Sequence, residues 1–526
     1  MSPSQPQPSA RPGDRIARAF VSGTAWIGAG SALQGVLRLA MIAVLSKHFA
    51  PALYGYWAVL ATTADIVAPI AALGLTYGYM RRHAGGEDRG LAHRSFLGVV
   101  LVVAVSGAVF SGLLAALSGA FSGWFMGGSE LGRQVVVAGS LLLLFTALEF
   151  LLRFYFGTEL RMGRRVLLAT GRFAMEVAAV VAGVESGFGL VGVVALIVAA
   201  RAVPALVALG GILWRRGLAR PAFGAVPAGV RYGLPLQLGV SAGILMRLSD
   251  RYVLGAVGTS AQMGAYAAAY DIASFLLLAS VTLEHGLFPV LAALFNRGEE
   301  ARALWMYALS VKYYLVAAVP CAAVLTAAGR PVLVLVTTPE YADIGAVAMP
   351  WIAWGAVCYG LAIVARCLLG VAHRTVATMV ATWLTTVAKL AALVALVLWL
   401  GVLGAGLATF ATFLALMVVF LVMTRPVFAA HREAGEGPPV SARALVGLAV
   451  AGGVAAVPLW LLAAPSLGRL LIGLAAYGAV YVAALFALGV VRVGELRSAW
   501  RLMARSRTSP LPAEETACEE GDAAGL

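Results

Sequence analysis

The chain is short of charge. Asp, Glu, Lys and Arg make up only 12% of its 526 residues, about half the usual share in a soluble protein, while 61% are hydrophobic. So little polar side chain cannot cover a globule of this size, and a soluble protein is excluded. Cysteine is also scarce. Cys321, Cys358, Cys367 and Cys518 show no metal-ligand spacing, and three of them lie in apolar runs where cysteine packs as a small side chain. Neither a disulfide nor a metal site is expected, and no cofactor. Long polar loops are missing too. The widest internal break, around Arg425 to Ser441, is about seventeen residues and holds no phosphate-binding loop or cluster of acids. That leaves nowhere to build the extramembrane active site of a polymerase or glycosyltransferase, so the chain reads as a non-enzyme. The start, Met1 to Asp14, is rich in Pro, Ser and Gln and lacks the apolar core of a signal peptide.

What is present is a succession of apolar runs of twenty residues or more, each long enough to cross a hydrocarbon layer of roughly 30 Å. They predict an all-α integral membrane protein of about fourteen transmembrane helices. The spans are expected near 20–46, 53–80, 95–119, 134–158, 166–185, 188–213, 230–256, 263–292, 304–329, 345–371, 375–399, 402–424, 443–463 and 468–491. The net charge of +14 sits in short loops and not on one face, so no nucleic-acid partner is expected. Arg81, Arg82, Arg89 and Arg94, then Arg161, Arg164 and Arg165, then Arg215, Arg216 and Arg220 fall on one side. The opposite loops hold only Lys47, Arg133, Arg330 and Arg469. Excess Arg and Lys marks the cytoplasmic side, which puts both termini in the cytoplasm of a multi-pass protein.

Comparing the chain with itself exposes a repeat. Arg38 lies 17 residues before Gly55 in Tyr54-Gly55-Tyr56, and Arg247 lies 17 before Gly264 in Gly264-Ala265-Tyr266. At a second common offset Gly157, Arg161 and Glu176 match Gly370, Arg374 and Lys389, and at one residue less Gly189 and Gly192 match Gly401 and Gly404. The expected architecture is therefore two pseudo-symmetric six-helix bundles (6+6), residues 20–220 and 221–425, related by an axis along the membrane normal, plus two extra C-terminal helices within 440–491. Residues 1–19 read as a disordered arm, and 492–526 as a basic and then acidic tail.

Ionisable side chains inside spans cost roughly 2.5 to 3.5 kcal/mol each at a helix centre, so they should face a cavity or a partner. Ser31, Gln34 and Arg38 share a face of the first span, expected to look into a cleft between the lobes. Arg247, Asp250 and Arg251 have i, i+3, i+4 spacing, so Asp250 could hold Arg247 in place, with Arg251 snorkelling to the interface. Arg38 and Arg247 are the expected binders of an anionic head group, because a guanidinium fork matches phosphate oxygens, and a lobe-to-lobe structural ion pair is the plain alternative. Arg201 and Lys389 could extend a cationic lining. Asp65, Asp250 and Asp271 would balance charge or carry a coupling ion. Glu149 with Arg153, and Arg172 with Glu176, read as local i, i+4 salt bridges. Tyr54, Tyr56, Trp57, Tyr77, Tyr266, Tyr270, Tyr313 and Tyr314 fall mostly near span ends, as interfacial belts do.

Two stretches carry a family likeness: Gln34 through Leu53-Tyr54-Gly55-Tyr56 to Leu73-Gly74-Leu75, and Arg247-Leu-Ser-Asp250-Arg251-Tyr-Val-Leu-Gly255 followed by Gly264-Ala-Tyr266-Ala-Ala-Ala-Tyr270. Over about residues 20–425 the chain resembles the polysaccharide transport branch of the multidrug/oligosaccharidyl-lipid/polysaccharide flippase superfamily, which includes O-antigen flippases. The resemblance implies transfer of an undecaprenyl-diphosphate-linked oligosaccharide from the inner to the outer leaflet of a bacterial cytoplasmic membrane by alternating access. Implied partners are that polyprenyl-diphosphate-linked glycan and membrane lipids, with functional coupling to glycosyltransferases and a polymerase, and the protein acting as a monomer. Lipid II flippases of the superfamily have fourteen spans, the last two lining a groove for the lipid tail. Drug extruders typically carry an acidic cation site in the first span, where this chain has Arg38 as its only core charge.

Overall fold

The structure, a computed structural model, describes residues 12–83, 88–159, 161–429, 450–453 and 467–490. All regular structure among them is helical. The helices are long because the apolar runs are long: inside a bilayer each backbone N–H and C=O must be satisfied within its own segment. Among the described residues ten helical segments are long and apolar enough to cross a membrane, which makes this a multi-pass integral membrane protein. Large apolar side chains such as Trp214, Trp399 and Leu167 point outward, as expected where lipid is the solvent.

The first lobe comprises α1 (Pro12–His48), α2 (Pro51–Ala71), α3 (Leu75–His83), α4 (Arg89–Ala116), α5 (Ser118–Phe125), α6 (Glu130–Gly139), α7 (Leu142–Thr158), α8 (Met162–Glu185) and α9 (Leu190–Arg216). The second comprises α10 (Val226–Leu248), α11 (Asp250–Val257), α12 (Ser260–Ala273), α13 (Leu276–Asn296), α14 (Glu300–Ala327), α15 (Gly329–Val336), α16 (Pro339–Gly345), α17 (Met349–Val371) and α18 (Thr375–Ala429). Several predicted spans are broken mid-course, giving the pairs α2–α3, α10–α11 and α12–α13. Turns are short and chemically marked: Pro51 opens α2, and Thr259 and Gln262 form a capping box on α12. Helix α18 is a hairpin. Gly401 adopts φ 56° and reverses the chain there, so that Arg374 at its start donates to the Met423 carbonyl near its end at 3.3 Å.

The repeat is visible in space. Gly189 opens α9 where Gly401 opens the second arm of α18, and Arg161 and Arg374 immediately precede α8 and α18. Gly55 of α2 and Gly264 of α12, equivalent in the two lobes, meet each other. A methyl group on Gly264 would run into the Pro51 carbonyl and the Gly55 nitrogen, and one on Gly55 into the Ser260 carbonyl. A residue touching its own repeat equivalent is what a two-fold axis between the lobes produces. Around this contact Tyr54, Trp57, Tyr266 and Tyr341 belong to the largest buried cluster among the described residues. These rings are therefore core and not interfacial belt, because the spans are broken and the lobes close on each other there. The last helix, α19 (Leu467–Ala487), packs on α14, with the Tyr481 hydroxyl donating to the Val316 carbonyl at 3.0 Å. The expected thirteenth span, 443–463, lies outside the described residues except for 450–453, as do the arm before residue 12 and the tail after 490.

Candidate functional site

Most of the in-span charges that are buried and paired fall into three groups. The first lies inside the first lobe, where α7, α8 and α9 each supply charge. Arg201 Nε donates to Glu176 Oε1 at 2.6 Å and its Nη1 to Thr146 Oγ1 at 2.9 Å. Arg172 donates to Glu149 at 3.1 Å. The predicted i, i+4 pairs Arg153–Glu149 and Arg172–Glu176 are present but longer, at 3.5 and 3.7 Å, because the carboxylates turn toward neighbouring helices. Arg201, Glu176, Arg172 and Glu149 are all buried. Arg201 is thus occupied within a closed cluster and does not extend a cationic lining.

The second group lies inside the second lobe and joins α11 to α18. Lys389, the repeat equivalent of Glu176, donates from Nζ to Asp250 Oδ2 at 2.8 Å and to the Met246 carbonyl at 2.6 Å. Thr409 Oγ1 donates to the other Asp250 oxygen at 3.1 Å. Lys389 and Asp250 are each 1% exposed, so this ion pair has no open side. The expected pairing of Asp250 with Arg247 is replaced: a break between α10 and α11 turns Asp250 toward α18, while Arg247 stays on α10. Lys389 is accordingly a buried partner and not part of an exposed lining.

The third group joins the lobes. Arg38 of α1 and Arg251 of α11 each donate from Nη2 to Asp271 Oδ1 of α12 at 2.7 Å. Arg251 also donates from Nη1 to Thr62 of α2 at 2.6 Å. Arg251 is 4% exposed and does not snorkel, because Asp271 and Thr62 satisfy it inside the protein. Beside it the Thr63 and Tyr252 hydroxyls lie 2.8 Å apart across the same junction. Asp271 is thus shared between Arg38 and Arg251. The polar face of α1 is divided: Gln34 donates to Thr170 of α8 at 3.1 Å within the first lobe, while Arg38 reaches the second. Asp65 is exposed, with no hydrogen-bond or ion-pair partner among the described residues, and lies within electrostatic reach of Arg172 and Tyr252.

Arg247 is the odd one out. Its only hydrogen bond among the described residues is Nε to the Gly243 carbonyl one turn back, at 3.4 Å, and no carboxylate pairs with it. It lines a cavity of about 540 Å³ bounded by α10, α13, α17 and α18, with Glu284, Arg366, Tyr359, Thr378 and Thr382 among the walls. Arg366 donates to Glu284 at 2.5 Å across the cavity wall and keeps 48% of its side chain exposed. Arg366 and Tyr359 were not singled out from the sequence, although Arg366 is an in-span charge in the tenth predicted span and could have been found as one. Two arginines against one glutamate leave the cavity net positive. Its walls include Leu236, Val240, Ile244, Leu277 and Phe420, so the charge sits in apolar surroundings where it is weakly screened.

A bundle with these two pseudo-symmetric lobes has known counterparts. The structure superposes on a lipid II flippase, MurJ, in an inward-closed conformation with a TM-score of 0.71, at 11% identity, over 88% of this chain and 99% of that one. This chain has the MurJ and MATE transporter fold. An inward-facing multidrug resistance MATE family transporter of the MOP superfamily matches it with a TM-score of 0.65, at 14% identity, over 77% of this chain and 96% of its own. A MOP superfamily transporter from Pyrococcus furiosus, described as having a binding pocket of reversed polarity, gives 0.58 at 15% identity over 78% and 96%. Residues 235–397, the body of the second lobe, match the MatE family, and that segment contains Arg247, Asp250, Asp271, Arg366 and Lys389. No curated protein sequence matches the chain. These counterparts are described as a lipid II flippase and as transporters.

Proposed function

We propose that the protein is a flippase that moves an undecaprenyl-diphosphate-linked oligosaccharide, of the kind used for O-antigen and other surface polysaccharides, from the cytoplasmic to the outer leaflet. The observation that carries this reading is Arg247, a guanidinium with no acidic partner among the described residues, set in a largely apolar cavity of net positive charge. A diphosphate is the complementary ligand, since its oxygens accept the parallel bonds a guanidinium offers. Arg38 has 38% of its side chain exposed and is the first-lobe candidate for the same head group, exchanging Asp271 for phosphate as the lobes move. Tyr359 offers a ring on which a sugar could stack. The glycan chain and lipid tail would remain with bulk water and bilayer, and the protein would work as a monomer by alternating access, in a bacterial inner membrane with both termini in the cytoplasm. Glycosyltransferases supplying the cargo and a polymerase consuming it are the functional partners this cargo requires.

Membrane potential favours the direction. An inside-negative potential is worth about 2.3 kcal/mol per charge per 100 mV, so a diphosphate crossing with two uncompensated charges would gain roughly 4 to 5 kcal/mol. A second reading, a cation-coupled antiporter for small amphiphiles on the same fold, is favoured by one observation: Asp65 is an exposed carboxylate without a partner among the described residues. Asp271 and Asp250 fit that role less well, being occupied by arginines and by Lys389 respectively.

The test is the leaflet distribution of polyprenyl-diphosphate-linked sugars in cells lacking the gene, complemented with wild type or with Arg38→Ala plus Arg247→Ala. Accumulation on the cytoplasmic face that only wild type relieves is the expected result. An unchanged distribution in the deletion strain, with other flippases removed, refutes the lipid-linked sugar and leaves the antiporter.

A further inference from the structure

A second basic cavity lies in the first lobe, away from Arg247. The ends of α7 and α9 and the beginnings of α4 and α8 converge around about 750 Å³ of space lined by Arg161, Arg164, Arg215 and Arg216. One carboxylate is shown paired with this group, Glu159, at 2.6 Å from Arg216. Arg164 stands within electrostatic reach of both Arg161 and Arg215, so like charges are held together. The start of α8 carries no side-chain cap, which leaves its first N–H groups facing the same basic end. Two further polar groups are incompletely used. His93, 5% exposed, bonds through Nε2 to the Gly217 carbonyl at 3.0 Å and has no partner for Nδ1, and Arg216 Nη1 is likewise unpartnered among the described residues.

The other half of the cavity is apolar and opens sideways. Its wall is α9, through Val207, Ala208 and Gly211. Val207 is 68% exposed, nothing approaches Gly210 or Gly211, and Trp214 one turn further on is 89% exposed, all in a helix long and apolar enough to cross the bilayer. A basic floor at the membrane surface continuous with an open apolar groove along a spanning helix has two kinds of complementarity in one site.

We infer that this cavity binds an anionic glycerophospholipid, with the phosphate among Arg161, Arg164 and Arg215 and an acyl chain along α9 over Gly211. Guanidinium groups clustered without matching carboxylates are relieved by a phosphate, and basic pockets between spans on the positively charged face suit lipid head groups. A free phosphate would use the arginine half alone. The inference is independent of what the second-lobe cavity transports.

The experiment uses the full chain, purified and stripped of lipid in detergent, and titrated with dioleoylphosphatidylglycerol, dioleoylphosphatidylcholine or glycerol 3-phosphate while native mass spectrometry follows the bound species. The glycerol lipid should bind at least tenfold more tightly than the choline lipid. Arg161→Ala with Arg164→Ala and Arg215→Ala should weaken it at least tenfold. Removing Arg82, Arg297 and Arg302 by alanine, an equal loss of charge at the same end of the bundle, should leave it unchanged. Gly211→Leu, which fills the groove and leaves the arginines intact, should weaken the lipid but not glycerol 3-phosphate. Equal binding of the two lipids, or equal losses in the two triple variants, would overturn the site. Glycerol 3-phosphate binding as tightly as the lipid, with no effect of Gly211→Leu, would overturn the lipid assignment and leave a site for a soluble phosphate.

Discussion

Arg38 and Arg251, from different lobes, place their Nη2 atoms at the same distance, 2.7 Å, from one oxygen of Asp271. The two partners are not equal. Arg251 is almost fully buried and also holds Thr62, whereas Arg38 has 38% of its side chain exposed. Screening by solvent weakens the second interaction, and burial makes loss of the first expensive. Arg251→Gln should therefore lower stability by about 1 to 3 kcal/mol, because Thr62 loses its donor and Asp271 keeps only the part-exposed Arg38. Arg38→Gln should cost under about 1 kcal/mol. Denaturant unfolding of the two variants in one detergent, with Asp271→Asn to close a double-mutant cycle, gives both numbers, and equal effects would contradict the assignment.

Arg247 and Lys389 separate binding from scaffold. Arg247→Ala should reduce flipping of the polyprenyl-diphosphate sugar by tenfold or more while the unfolding temperature stays within a few degrees, since no ion pair with it is seen among the described residues. Lys389→Met alone should destabilise by about 3 to 5 kcal/mol by stranding Asp250. Lys389→Met with Asp250→Leu should recover most of that loss, because a buried ion pair can be replaced by apolar side chains at little cost. Unfolding and reconstituted flipping, measured on the same preparations, distinguish these outcomes.

Asp65 decides between the two transport readings. Asp65→Asn should leave flipping of the lipid-linked sugar within about twofold of wild type and its pH dependence unchanged. Loss of proton- or sodium-driven efflux of a cationic dye in that variant, with lipid flipping absent in wild type, would favour the antiporter.

The Gly55–Gly264 contact makes a conformational prediction. Gly264→Val pushes a side chain into the Pro51 carbonyl, so α2 and α12 must separate. Tyr341 donates to the Phe49 carbonyl at 2.8 Å in the closed arrangement, which brings the α1–α2 turn beside α16. Spin labels at Ala50→Cys and Glu340→Cys, with the native cysteines replaced, should report one short distance in the parent and a longer or bimodal distribution in Gly264→Val. An unchanged distance would mean that this contact does not hold the lobes together.

The sequence alone determined the solvent and the outline. Apolar runs of bilayer length force helices because no other local backbone arrangement satisfies its own hydrogen bonds in lipid, and matched charges and glycines at fixed offsets mark a duplicated bundle. Gly55 and Gly264 were legible as equivalents. Tertiary structure alone decided that they touch, since that depends on where the axis between the lobes falls. Charge partners were decided there too. The i, i+3 spacing of Arg247 and Asp250 offered a local pair, yet the break after Leu248 and the proximity of Lys389, far along the chain, redirected the acid. Arg201 and Lys389 carry the same kind of in-span charge as Arg247, and only packing separates them: two are neutralised inside single lobes, and one faces a cavity. An ion pair between distant helices depends on angles and distances of an ångström or two, which helical periodicity does not encode.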